Sequence, residues 1–96
     1  MMGHEWEIKS KNRKINGALP FIKKYLVDEG IDNFSVCSNK ITVPSSNCVG
    51  WDDMQFILDN NHFYFMHLDF FEGQNVISKI ENILINNDFD LIIEEL

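Results

Sequence analysis

Residues 62–71 read HFYFMHLDFF, and this stretch decides the class of the fold. Neighbouring side chains of a β-strand point to opposite faces of the sheet, so these residues divide into two alternating sets. One set is His62, Tyr64, Met66, Leu68 and Phe70, and the other is Phe63, Phe65, His67, Asp69 and Phe71. Because both sets are mainly apolar, the pattern predicts a central strand that is covered on both faces.

A helix and a further strand are predicted after this segment. Gly73 opens the helix, and Asn86-Asn87 supplies its C-cap. The residues with helical spacing that form its buried stripe are Val76, Ile77, Ile80, Ile83 and Leu84. Residues 89–93 then return as a strand. The order of strand, helix and strand indicates a crossover unit with one parallel strand pairing.

The first half of the chain predicts a strand, a helix and a hairpin. Residues 6–9 alternate apolar and polar side chains, as a half-buried strand does. The helix runs from an N-cap at Asn16 to a stop at Gly30. Residues 34–37 and 41–43 are the two short strands of the hairpin, and the turn between them contains asparagine.

Residues 51–59 fit either a short helix or a strand. We favour the strand, because the segment 62–71 needs a neighbour in the sheet. The chain of 96 residues is predicted to form a single domain spanning 1–96. Its expected fold class is α+β, with two helices packed on a mainly antiparallel sheet and a C-terminal strand-helix-strand unit.

Acidic and basic residues are separated along the chain. Six of the eight basic residues lie in the first 24 positions beside two carboxylates, which gives that stretch a formal charge of +4. The remaining residues carry −11, and the whole chain carries −7. A negative field repels nucleic acid and attracts basic proteins, whose association it accelerates by roughly 10–1000-fold when a cleft focuses the field. The expected partner is therefore a basic protein.

Motifs for catalysis, metals and cofactors are sparse. His67 and Asp69 lie two apart and form the best candidate for a general base, but the chain offers no nucleophile with a supporting pattern. His62 and His67 point to opposite faces of the predicted strand, and no metal-ligand or phosphate-loop motif occurs. We predict a protein that is not an enzyme and that needs no cofactor and no metal.

Other classes of partner are also disfavoured. Trp6 and the basic residues near it could contact a nucleic acid, but the charge of −11 in the rest of the chain opposes a phosphate backbone, so the basic stretch is interpreted as a solvated loop. No stretch approaches the roughly 20 apolar residues of a membrane span. Cys37 and Cys48 are too few for a disulfide scaffold, which favours two reduced, partly buried thiols and a cytoplasmic location.

Seven residues form the predicted partner-binding site. Tryptophan is a frequent interface hot spot, and acids that pair with Lys or Arg of a partner contribute strongly to binding. The candidate residues are Trp51, Asp52, Asp53, Asp69, Glu72, Asp88 and Asp90. Trp51 is equally a candidate for the core, because buried tryptophan is common.

In size, charge and lack of catalytic motifs, residues 25–96 resemble the small acidic immunity proteins that bacteria make against nuclease toxins, including those of contact-dependent inhibition systems. The −11 balance and groupings such as Trp51-Asp52-Asp53 carry this resemblance. It implies a stoichiometric inhibitor that binds a basic toxin domain, or another nucleic-acid-acting enzyme, through an acidic surface and excludes its substrate. The basic first stretch departs from that pattern.

An alternative function belongs to another class of protein. Alternation of helices and strands at this length also suits a small regulatory domain that binds a metabolite or forms a dimer. A pocket near Asn16-Gly17 would support that alternative, and so would an exposed apolar sheet face.

Overall fold

The computed structural model describes residues 4–45, 50, 52–58 and 62–96. In chain order the strands are β1 (His4–Ser10), β2 (Ser35–Cys37), β3 (Lys40–Pro44), β4 (Asp52–Leu58), β5 (Phe63–His67) and β6 (Leu91–Glu95). Helix α1 (Leu19–Asp28) follows a single 3-10 turn, Ile15–Ala18, and helix α2 (Phe70–Ile85) joins β5 to β6. The strands form one sheet in the order β2-β3-β4-β5-β1-β6. The predicted α+β class is confirmed.

The core lies between one face of the sheet and the two helices, which contact each other. Alternate residues of β1, β4 and β5 point into it, among them Trp6, Phe56 and Phe65. The aromatic rings pack directly, with centroids of Phe56 and Phe65 5.0 Å apart. Burial of these large apolar surfaces is the main force that holds the helices to the sheet.

Only one face of the sheet is covered by the described elements, so the expectation that β5 is covered on both faces is wrong. Phe63, Phe65 and His67 face the helices and are buried. Tyr64 and Met66 face the other way and are half-buried. Their partial burial comes from neighbouring strands. Antiparallel sheets can leave one face to solvent in this way. We call the uncovered surface the open face: Glu5, Glu7, Gln55, Ile57, Tyr64 and Met66.

The C-terminal order of strand, helix and strand is confirmed, but its expected parallel pairing is wrong. Strand β1 inserts between β5 and β6 and is antiparallel to both. Trp6 is opposite Phe65 on one side, and Ile8 is opposite Ile93 on the other. Strand β1 therefore lies between β5 and β6, where the sequence pattern predicted that these two strands would pair directly.

Both helices begin at positions other than those expected. Asn16 lies inside the 3-10 turn, and the N-cap of α1 is Ala18, which makes no side-chain cap bond. Gly30 does follow the end of α1, and its φ of 78° suits glycine. Helix α2 begins three residues before Gly73, because the Asp69 carboxylate caps it by accepting from the Glu72 backbone N–H at 2.9 Å. Asn86 is its C-cap, as predicted.

Three smaller expectations have clear outcomes. The ambiguous stretch after residue 51 forms strand β4, as we favoured. The 34–37 and 41–43 hairpin is present as β2 and β3. Cys37 is free but exposed, because it lies on the edge strand β2, and Cys48 lies outside the described residues.

Candidate functional site

Four of the seven predicted site residues lie at one end of the sheet, and we call Asp52, Asp53, Asp69 and Glu72 the acidic end. Residues Asp52 and Asp53 begin β4, and Asp69 and Glu72 begin α2. The two segments are joined by a backbone hydrogen bond of 3.0 Å from the Leu68 N–H to the Asp53 carbonyl. Asp52 and Asp53 therefore share one end of the sheet with Asp69 and Glu72, although the two pairs are at least sixteen residues apart in the sequence.

Phe71 is the exposed aromatic side chain of the acidic end. It lies between Asp69 and Glu72 in the first turn of α2 and is 78% exposed. Its ring packs edge-on against Phe70, whose ring stacks on the buried Trp6. An exposed aromatic side chain supported in this way is typical of an interface anchor, because little conformational entropy is lost on binding.

The other acidic candidates are elsewhere. Asp88 and Asp90 precede β6, at the opposite end of the sheet, beside the basic stretch. The Asp90 carboxylate lies 4.0 Å from the Lys11 ammonium, and the Asp88 carbonyl accepts a hydrogen bond from Asn12. Strand β1 separates the two ends by about 20 Å. Trp51 lies outside the described residues.

His67 is buried at the base of the acidic end, but it does not form the expected pair with the Asp69 carboxylate. Its Nδ1 accepts a hydrogen bond of 2.9 Å from the Asp69 backbone N–H, while the carboxylate is used as the helix cap. The neutral ring therefore carries its proton on Nε2, which faces Glu72 Oε2 at 3.8 Å. This geometry positions the start of α2 rather than activating a general base.

Burial lowers the pKa of His67, and the carboxylates of Glu72, Asp53 and Asp69 oppose that change only in part. A histidine in the unfolded chain keeps an ordinary pKa of about 6.5 and so takes up a proton at higher pH than folded His67. The stabilising contribution of the neutral ring is therefore fully present above about pH 6.5 and is lost as the pH falls towards the folded-state pKa.

We expect the free energy of unfolding to decrease between pH 7.5 and pH 5.5, and to decrease less in His67→Asn. Asparagine can still accept the Asp69 N–H bond, but it does not titrate. Urea denaturation at the two pH values measures the difference, and His62→Asn serves as the control. An equal decrease in the wild type and in His67→Asn would contradict the assignment.

The open face carries a polar network that the sequence did not predict. Glu7 on β1 contacts His62 at 3.0 Å and Lys9 at 3.5 Å. Burial acts to raise the pKa of Glu7, but hydrogen bonds from Tyr64 and His62, together with Lys9, outweigh it and lower the pKa. Glu7 is therefore a fixed negative charge beside the apolar side chains of Ile57, Tyr64 and Met66 on the same face.

A cleft lies between the helices and the acidic end, with a volume of about 300 Å³. Tyr25, Glu29 and Lys79 line it together with His67. The Lys79 ammonium donates to the Glu29 carboxylate at 2.6 Å. Burial, and then Glu29, raise the pKa of Tyr25 to about 12, so its hydroxyl keeps its proton. The Lys79 ammonium and the Glu29 carboxylate of this cleft are thus paired with each other.

The described residues offer neither a metal-binding cluster nor a membrane-spanning helix. No group of three or more His, Cys, Asp or Glu side chains within ranges 4–45, 50, 52–58 and 62–96 could hold a metal ion. Among the described helices, neither α1 nor α2 is sufficiently long and apolar to cross a bilayer.

Sequence reasoning missed Phe71, which it placed in the strand. The missed signal is the spacing of Asp69 and Glu72, because an N-cap acid followed three residues later by glutamate marks a helix start. The network of Glu7, His62 and Tyr64 had no such signal, since Glu7 is 55 residues from His62 in the sequence and lies on a different strand from Tyr64.

No known family model, curated protein sequence or solved structure matches this chain.

Proposed function

We propose that this protein is a stoichiometric inhibitor that binds a basic protein, such as a nuclease toxin domain, through the acidic end and excludes the nucleic-acid substrate of that partner. The observation that supports it most is that Asp52, Asp53, Asp69 and Glu72 lie at one end of the sheet, where Phe71, between Asp69 and Glu72 in the chain, is exposed. Clustered charge together with an exposed aromatic anchor is an arrangement found at tight, fast-forming interfaces.

The mechanism is substrate exclusion. Carboxylates of the acidic end occupy the positions at which the partner would bind phosphates, and Phe71 fills an apolar site between them. Glu5 and Glu7 extend the negative surface from this end across the open face. The combined field accelerates encounter with a basic partner, so complex formation depends on salt concentration.

The binding test uses a partner recovered from the native host with the tagged chain. We expect a basic protein that is toxic alone, whose activity on nucleic acid is abolished by one equivalent of this chain. Asp53→Asn combined with Glu72→Gln should lower the affinity at least about tenfold, mainly by slowing association, because the attracting charge is lost. Stopped-flow measurements at two salt concentrations check both effects.

Glu81→Gln combined with Asp88→Asn is the matched control. It removes two negative charges by similar isosteric changes, outside the acidic end. Affinity in this control should stay within about twofold of the wild type. Equal losses in the two double variants, or association that is independent of salt, would contradict the proposal.

The open face favours a second candidate function, self-association of a small regulatory domain. Ile57, Tyr64 and Met66 form an apolar centre that no described element covers. Two copies placed face to face would, however, bring the carboxylates of Glu5 and Glu7 together. Light scattering separates the candidates: the inhibitor is expected at 11.2 kDa and a dimer at twice that mass.

A further inference from the structure

We propose that the cleft at the end of the sheet opposite the acidic end binds a small anion that carries a di- or triphosphate group. The cleft has a volume of about 530 Å³. Its charged or titratable lining residues are Lys9, Lys11, Arg13, Lys14 and His62. This volume lies in the range of small-ligand sites, about 300–1,000 Å³. The inference does not depend on the proposed inhibitor function, because the two sites are about 20 Å apart.

The loop that carries Lys11, Arg13 and Lys14 is held in place by the turn before β6. Asn12 is central to it: its Nδ2 donates to the Asp88 carbonyl at 2.7 Å, and its Oδ1 accepts from the Asp90 N–H at 3.0 Å. The Lys11 N–H donates to the Asp90 carbonyl at 2.8 Å. An exposed polar loop between a strand and a helix is normally among the more mobile parts of a protein. Here the cation-bearing backbone is ordered in advance of binding, which lowers the entropic cost of capturing a ligand.

Individual side chains of the lining are positioned as well. The Arg13 guanidinium lies 4.2 Å from the ring centroid of Phe89 and donates to the Asn87 carbonyl at 3.3 Å. His62 is oriented by its contact of 3.0 Å with Glu7. Glu7, 3.5 Å from Lys9, and Asp90, 4.0 Å from Lys11, offset part of the positive charge of the lining, and the remaining charge is unfavourable until further negative charge offsets it. A compact anion with three or four negative charges provides that offset at several cations at once, whereas a single carboxylate does not.

The carboxylates outside the cleft favour binding of a small anion over binding of a nucleic acid. At physiological ionic strength charges are screened over about 8 Å, so the acidic end, about 20 Å away, exerts little repulsion on a ligand confined to the cleft. A polynucleotide extending beyond the cleft would meet the carboxylates of the open face and of the acidic end. The chain thus excludes long polyanions while leaving the cleft accessible to short ones.

The experiment is an amide NMR titration of the full chain with sodium pyrophosphate in about 50 mM NaCl. We expect shifts centred on residues 9–15 and on His62, saturating with a Kd of about 1 mM or tighter. ATP in a second titration distinguishes a nucleotide from an inorganic source of the phosphates, and saturation at the same residues by either probe supports the site. Raising the salt to about 300 mM should weaken binding.

Lys9→Gln combined with Lys14→Gln should weaken pyrophosphate binding at least about tenfold, because it removes two charges that line the cleft. Lys23→Gln combined with Lys24→Gln is the matched control: it removes two exposed lysines of α1 and should leave the Kd within about twofold. The absence of saturable shifts with either phosphate probe would overturn the proposal. Equal weakening in both double variants would overturn it too, as would tighter binding of a thymidine decanucleotide than of pyrophosphate.

Discussion

Replacing Gly73 with alanine is expected to destabilise the fold, although alanine is favoured over glycine inside a helix by about 1 kcal/mol. A Cβ at this position would lie 2.6 Å from Cη2 and 2.8 Å from Cζ3 of Trp6, and 3.0 Å from the His67 Cβ. Trp6 is buried and cannot swing away. Overpacking of this kind costs about 1–3 kcal/mol, and more where the surroundings are rigid, so the unfolding free energy should fall by about 1–2 kcal/mol net.

A double-mutant cycle tests the cause of that loss. Trp6→Phe shortens the ring that meets Gly73, so the alanine variant should cost less in that background than in the wild type. Asn75→Ala in the same helix is the control, since its side chain is exposed and its change should be neutral or slightly stabilising. Urea denaturation measures all four proteins of the cycle. A stabilising Gly73→Ala would show that α2 can move away from β1.

Phe65→Ala is expected to be the most damaging of the substitutions considered, with a loss of about 3–5 kcal/mol of unfolding free energy. Phe65 is 0% exposed on the central strand β5, and its ring lies 5.4 Å from that of Trp6. Domains of this size have a total stability of about 5–15 kcal/mol, so the variant should be close to unfolding at 37 °C. Thermal denaturation followed by circular dichroism provides the measurement.

Phe71→Ala is the informative counterpart, because it makes the same substitution at the surface that Phe65→Ala makes in the core. The unfolding free energy should change by no more than about 0.5 kcal/mol, since the ring is 78% exposed. If Phe71 anchors the partner, affinity should fall by about 2 kcal/mol, which is roughly 30-fold. A folded Phe71→Ala variant with unchanged affinity would remove Phe71 from the interface and leave only the carboxylates to be tested.

The grouping of carboxylates at the acidic end follows in part from the sequence. The grouping of Asp69 with Glu72 could be proposed from their closeness in sequence, and so could that of Asp52 with Asp53. That the two groups share one end of the sheet depends on the register of β4 with β5, in which Met54 is opposite His67. Asp88 and Asp90 were assigned to the same site, but the antiparallel direction of β6 relative to β1 places them beside the basic loop.

Local patterning was sufficient to predict the α+β class, the strand character of residues 63–67 within the longer predicted strand 62–71, the end of α1 just before Gly30 and the C-cap of α2. Each of these follows from hydrophobic period or backbone preference within a few residues. The insertion of β1 between β5 and β6, the open face and the basic cleft could not be predicted in this way. They depend on strand pairings between residues more than 50 positions apart, and those pairings are determined by packing of the whole core rather than by any short stretch of chain.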